Sequence, residues 1–162
     1  IVAENLLEKF KERTELNLKK LSQCSGEKLI NLEAQHPFLN NKIKVIDSDH
    51  VTDDSGTGCV HIAPAHGVED FELGKKYNLE VVNPIQSNGV FSGFPEELNG
   101  IHIYKLDEHI INILIREKRL LSEKKFKHSY PHCWRTKTPL IYRATPQWFV
   151  SMHKNNLIIR FE

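Results

Sequence analysis

Apolar residues along the chain recur at two spacings. Leu6, Leu7 and Phe10 return at helical intervals among Glu4, Glu8, Lys9, Lys11 and Glu12, which predicts a helix over residues 3–13. Ile110, Ile111, Leu114 and Ile115 repeat that pattern, and Asp107 stands where an N-cap belongs, so a second helix is expected from 107 to about 118. Val68, Phe71, Leu73 and Tyr77 suit a third helix. Short apolar runs at 27–34, 43–46, 59–63, 79–82, 101–104, 126–130 and 140–144 read as strands, and Asp47-Ser48-Asp49 and Asp53-Asp54-Ser55-Gly56 as turns. The Ser-, Asn-, Gly- and Pro-rich stretch 86–100 reads as loop. Short strands mixed with a few helices predict an α+β domain with a barrel-like sheet.

One stretch concentrates chemistry. Gly56-Thr57-Gly58-Cys59-Val60-His61-Ile62-Ala63-Pro64-Ala65-His66-Gly67-Val68-Glu69-Asp70 runs from flexible glycines through an apolar strand into the start of a helix. Polar groups at a strand end and at a helix start can face one cleft. His61, His66 and Asp70 are proper ligand types for zinc or iron, although their spacing is not that of a familiar metal helix. Asp70 can equally hold an amino group, and the helix dipole alone favours an acid in the first turn. His61 is open to three roles: base, ligand wall or packed histidine. Gly56-Thr57-Gly58 permits backbone amides to approach a phosphate or sugar, but it lacks the Gly-Lys-Ser/Thr ending of a P-loop and the Rossmann spacing. Cys59, inside the apolar run, is expected to be buried.

Composition narrows the setting. The chain has 162 residues, 40% hydrophobic and 27% charged, which is ordinary for one globular domain. A net charge of +1 demands no nucleic-acid partner, yet a neutral total can hide a basic face. Cys24, Cys59 and Cys133 are odd in number and form no Cys-x-x-Cys pair, which predicts free thiols and a reducing compartment. No membrane-spanning run or signal-peptide layout is present, so a cytoplasmic location is expected. The opening Ile1-Val2-Ala3, without an initiator methionine, predicts a piece of something longer. The run from Lys124 to Lys137 is basic and aromatic, a mixture suited to RNA backbone contact with stacking or to a solvated strand edge that discourages aggregation.

The central motif, continued by Phe71 and Gly74-Lys75-Lys76-Tyr77, resembles the editing domain of isoleucyl-tRNA synthetase. His128-Ser129-Tyr130-Pro131-His132-Cys133-Trp134-Arg135, followed by Thr138 to Val150, is similar to that family's return from the editing domain to its catalytic core. Valyl and leucyl enzymes share the Gly-Thr-Gly and acid pattern. They usually lack the histidine at 61 and the Tyr-Pro-His-Cys-Trp-Arg block, so the isoleucyl member is favoured.

The resemblance implies a β-barrel-like insertion over residues 1–150, with 151–162 starting the return to the core. It implies hydrolysis of valine misattached to the isoleucine tRNA. Asp70 would hold the α-ammonium, His61 would wall the side-chain pocket, and Gly56, Thr57 and Gly58 would lie beside the terminal adenosine, with His66 supporting the loop or joining the substrate site. The catalytic set is then Asp70 and His61, with water as nucleophile and no metal. ATP and magnesium would serve only the parent enzyme, outside this chain. Implied partners are the aminoacylated 3′ end of the isoleucine tRNA, valine or valyl-adenylate, and the catalytic core, with no membrane. The family's threonine-rich segment, expected upstream, supplies the other pocket wall. Thr136 stands where some relatives carry a cysteine paired with the one matching Cys133. Two rivals are a non-catalytic tRNA-binding module and a metal-dependent hydrolase.

Overall fold

The computed structural model describes residues 1–125 and 127–153. Among the described residues, three α-helices and one antiparallel pair of strands, joined by short 3₁₀ turns, give an α+β fold. Helix α1 (Leu7–Thr14) follows a 3₁₀ turn at Glu4–Leu6, and the first predicted helix is therefore present, with Leu6 almost fully buried. Strands β1 (Glu33–Gln35) and β2 (Lys42–Lys44) pair Glu33 with Lys44, Ala34 with Ile43 and Gln35 with Lys42. Helix α2 (Val68–Tyr77) ends on Asn78 in the left-handed region, a conformation that asparagine tolerates, and the Leu79 N–H returns to the Gly74 carbonyl at 2.8 Å.

The main core lies further along the chain. Ile85, Phe91 and Leu98 pack with Leu106 and Ile113 of α3 (Leu106–Arg116), and Phe38 and Ile141 close over them. This shifts the predicted face of α3. The stripe is Leu106, Ile110 and Ile113, whereas Ile115 is exposed. The helix also starts earlier than Asp107. Lys105 occupies the N-cap, and Asp107 lies inside the first turn, where the dipole still favours its charge. Ile110, Ile111 and Leu114 of the expected stripe are half-buried, and the contacts of Leu106 and Ile113 with Ile85, Phe91 and Leu98 rotate the inward face away from Ile115.

Several predicted strands are absent among the described residues. The 27–34 segment is a 3₁₀ turn at Gly26–Leu29 that leads into β1. Residues 59–63, 79–82 and 140–144 form no strand, and 101–104 is a single bridge from His102 to Val90 followed by a 3₁₀ turn. The 126–130 prediction falls partly outside the described residues, as do positions 154–162 of the expected return segment. An apolar run becomes a strand only when a neighbour satisfies its N–H and C=O groups. Here such pairing reduces to isolated bridges: Ile85 with Phe91, Val90 with His102 and His132 with Pro139. Cys59 is exposed for the same reason, contrary to expectation.

Candidate functional site

The Gly56–Asp70 stretch folds back on itself. Asp70 lies in the first turn of α2, and its Oδ2 accepts the Ala63 N–H at 3.0 Å. That bond brings the backbone two residues after His61 against the helix start. Oδ1 takes no hydrogen bond among the described residues, so one carboxylate oxygen builds the loop and the other has no protein partner there. Helix α2 is seated closely because Gly74 faces Pro64. A Cβ at 74 would stand 2.9 Å from the Pro64 Cβ, so a larger residue would lever the helix off the loop.

At the other end of the stretch, the Ala3 N–H donates to the Thr57 carbonyl at 2.7 Å. Gly58 has φ +78°, and a Cβ there would stand 2.7 Å from the Ala3 Cβ. Both the backbone conformation and the neighbour require glycine. Gly56 instead faces open space, with nothing within 4 Å of the direction a side chain would take. Thr57 Oγ1 lies 3.3 Å from the Cys59 N and 3.2 Å from the Cys59 carbonyl, which shapes the turn locally.

His66 faces the C-terminal segment. Its Nδ1 donates to the Tyr142 carbonyl at 2.9 Å, because a carbonyl only accepts, and a neutral ring then leaves Nε2 as acceptor. The Ala144 N–H donates to the Ala65 carbonyl, and Asn83 Nδ2 donates to the Ala144 carbonyl at 2.8 Å. Three contacts thus stitch 142–144 to the loop before α2 and to Asn83. Sequence periodicity carried no sign of them.

His61 is exposed and makes no hydrogen bond among the described residues. Its electrostatic neighbour is His36, in the β1–β2 turn. Burial first, and then the charge of His61, holds the His36 pKa below its ordinary value of 6.5. His36 Nδ1 accepts the Phe38 and Leu39 N–H groups at 3.3 and 2.9 Å, and protonating that nitrogen would break both bonds. The unfolded chain therefore takes up this proton first as pH falls. Stability from His36 is full above pH 6.5 and declines below it. In thermal melts, His36→Asn should flatten the loss of stability between about pH 6.5 and pH 5. His36→Ala should cost about 1–2 kcal/mol at pH 7.5. An unchanged pH slope in the asparagine variant would exclude His36 as its source.

His61, His66 and Asp70 do not form a metal centre. Among the described residues no group of three His, Cys, Asp or Glu side chains converges as ligands. Shallow clefts lie elsewhere among the described residues. One, of about 350 Å³, lies between Ser48, His50, Glu69 and Lys76, and another, of about 460 Å³, between Phe38, Phe91, Phe94 and Leu98. Neither is lined by His61, which is exposed, or by Asp70, which is half-buried. Cys133 is the one thiol with a perturbed acidity among the described residues. The Thr136 hydroxyl, then the backbone amides of Thr136 and Arg135, hold its pKa below the ordinary value.

The profile of the leucyl-tRNA synthetase editing domain matches residues 3–100, and the chain belongs to that family. Beyond residue 100 the likeness continues in isoleucine–tRNA ligases. The chain is 52% identical to that of Teredinibacter turnerae over 98% of its length. It is 49% identical to that of Pseudoalteromonas atlantica and 48% identical to that of Francisella tularensis subsp. novicida, each over 97%. It spans 17% of the length of each of these relatives. Among the described residues, no helix is long and apolar enough to cross a membrane.

Proposed function

We propose that this chain is the editing segment of an isoleucine–tRNA ligase and clears valine from the isoleucine tRNA. The observation that carries the reading is the divided Asp70 carboxylate. One oxygen anchors the loop at Ala63, and the other is available to a cation beside the His61 segment. An α-ammonium is the fitting cation, because a carboxylate accepts its charge-assisted hydrogen bonds. Similarity to isoleucine–tRNA ligases over nearly the whole of this chain and the editing-family match support the same reading.

The chemistry needs a second site. One methylene in an apolar pocket is worth only about 1–3 kcal/mol, a limit for which isoleucyl enzymes facing valine are the standard illustration. The Asp70 carboxylate orients the ester, His61 fills the space that isoleucine's extra carbon would need, and Gly56, Thr57 and Gly58 lie along the terminal adenosine. His66, held at the Tyr142 carbonyl, supports the loop or joins the substrate site. Water attacks the aminoacyl carbonyl, the ester bond to the ribose oxygen breaks, and that oxygen leaves as a hydroxyl. Positioning supplies the acceleration. ATP and magnesium serve the charging reaction of the parent enzyme, bound outside this chain in the cytoplasm. The editing segment covers residues 1–150, and 151–162 lead back to the core. The editing-domain family match supports a barrel-like sheet for the complete domain.

The test uses valine-charged isoleucine tRNA and this chain extended upstream by the threonine-rich segment. Valine should be released well above the spontaneous rate, and isoleucine spared. A folded protein that binds the tRNA but leaves the ester intact would overturn the reading in favour of an RNA-binding module.

A further inference from the structure

Arg143 carries an unmet hydrogen-bond donor. Its Nε is buried without a partner, and its guanidinium makes no hydrogen bond or ion pair among the described residues. A guanidinium stays charged at any pH of interest and has donors arranged to grip an oxyanion with two parallel bonds. A donor withdrawn from water and left unpaired destabilises the fold unless something else completes it. The position is held firmly. On one side the Tyr142 carbonyl accepts from His66, and on the other Ala144 bonds to Ala65 and Asn83. Arg143 is thereby fixed beside the loop that leads to Asp70.

The surroundings indicate which anion belongs there. Residues 124–153 include Lys124, Lys125, Lys127, Arg135, Lys137 and Arg143, and no Asp or Glu. Residues 131–140 double back as a tight hairpin: the Cys133 N–H reaches the Thr138 carbonyl at 2.8 Å and the Leu140 N–H reaches Pro131 at 3.0 Å. Chain continuity carries this basic hairpin directly into Arg143. Trp134 is 76% exposed, as a stacking surface for a base would be. A run of cations without one acid suits a polyanion better than a single protein carboxylate.

We propose that Arg143 binds a backbone phosphate of the tRNA acceptor end, next to the nucleotide whose ester meets Asp70, and so sets the register of the 3′ strand. This rests on the reading that the segment meets an aminoacylated tRNA end. Arg143 is a positioning residue: it holds the strand and does not touch the reacting carbonyl.

The experiment titrates an RNA minihelix carrying the isoleucine acceptor stem against the intact protein, Arg143→Gln and Arg143→Lys. Thermal melts establish that each is folded. Arg143→Gln should bind about 10-fold more weakly, and the slope of log affinity against log salt should fall by about one. Arg143→Lys should stay within about 3-fold, since it keeps the charge but loses the fork. An uncharged methylphosphonate at the contacted phosphate should erase the difference between Gln variant and wild type. If wild type fails to release valine yet shows this Arg143-dependent binding, only the editing reading fails. Equal binding and equal salt slopes in wild type and Arg143→Gln would overturn the phosphate site. So would a lowered melting temperature with RNA binding unchanged, which would assign the guanidinium to a structural role.

Discussion

Asp70→Ala should lower the release of valine from the isoleucine tRNA by about 10²–10³-fold, the scale of loss that follows when a reacting ester is no longer held in line. The substitution removes two things at once. The Ala63 N–H loses its acceptor, which should cost about 1 kcal/mol of stability. The ammonium anchor is lost as well. Asp70→Asn separates them, because an amide oxygen still accepts from Ala63 but carries no charge. Clearance should therefore fall in both variants, while only Asp70→Ala melts earlier. Deacylation rates read beside thermal melts check this. Wild-type clearance in Asp70→Asn would show that the charge is not what holds the substrate.

The second large effect concerns selectivity. His61→Ala should open attack on correctly charged isoleucyl-tRNA, raising its hydrolysis by about 10–200-fold while valine release stays within a few-fold. The ring is exposed and hydrogen-bonded to nothing among the described residues, so its removal should leave the fold intact. His61 also depresses the His36 pKa, second to burial. The same variant should thus soften the low-pH destabilisation that His36 causes. Isoleucyl-tRNA left untouched by His61→Ala would exclude the size-gate role.

The two histidines differ in how far each was readable. His61 stood out because it lies in a motif with glycines, a proline and an acid, and local chemistry drew attention to it. His36 lies in a turn between β1 and β2, and its part emerges only when the hairpin and the 59–63 segment meet in space. Arg143 was similarly hidden. It sits in a stretch similar to the family's return to the core, but nothing in its neighbours' spacing indicates a donor without a partner. Burial and hydrogen-bond accounting are tertiary quantities.

By itself the sequence determined the local elements whose forces act within a few residues. The helix over Leu7–Thr14, the break at Pro64 to Gly67 and the α2 helix with Asp70 in its first turn are of this kind. Side-chain spacing and dipole preference decide such features at short range. The tertiary structure decided the rest. Apolar runs at 59–63 and 79–82 gained no partner strand, the inward face of α3 moved to Leu106, Ile110 and Ile113, and segment 142–144 closed against the loop before Asp70. Strand pairing and burial depend on residues distant in the chain, whose meeting no local pattern encodes.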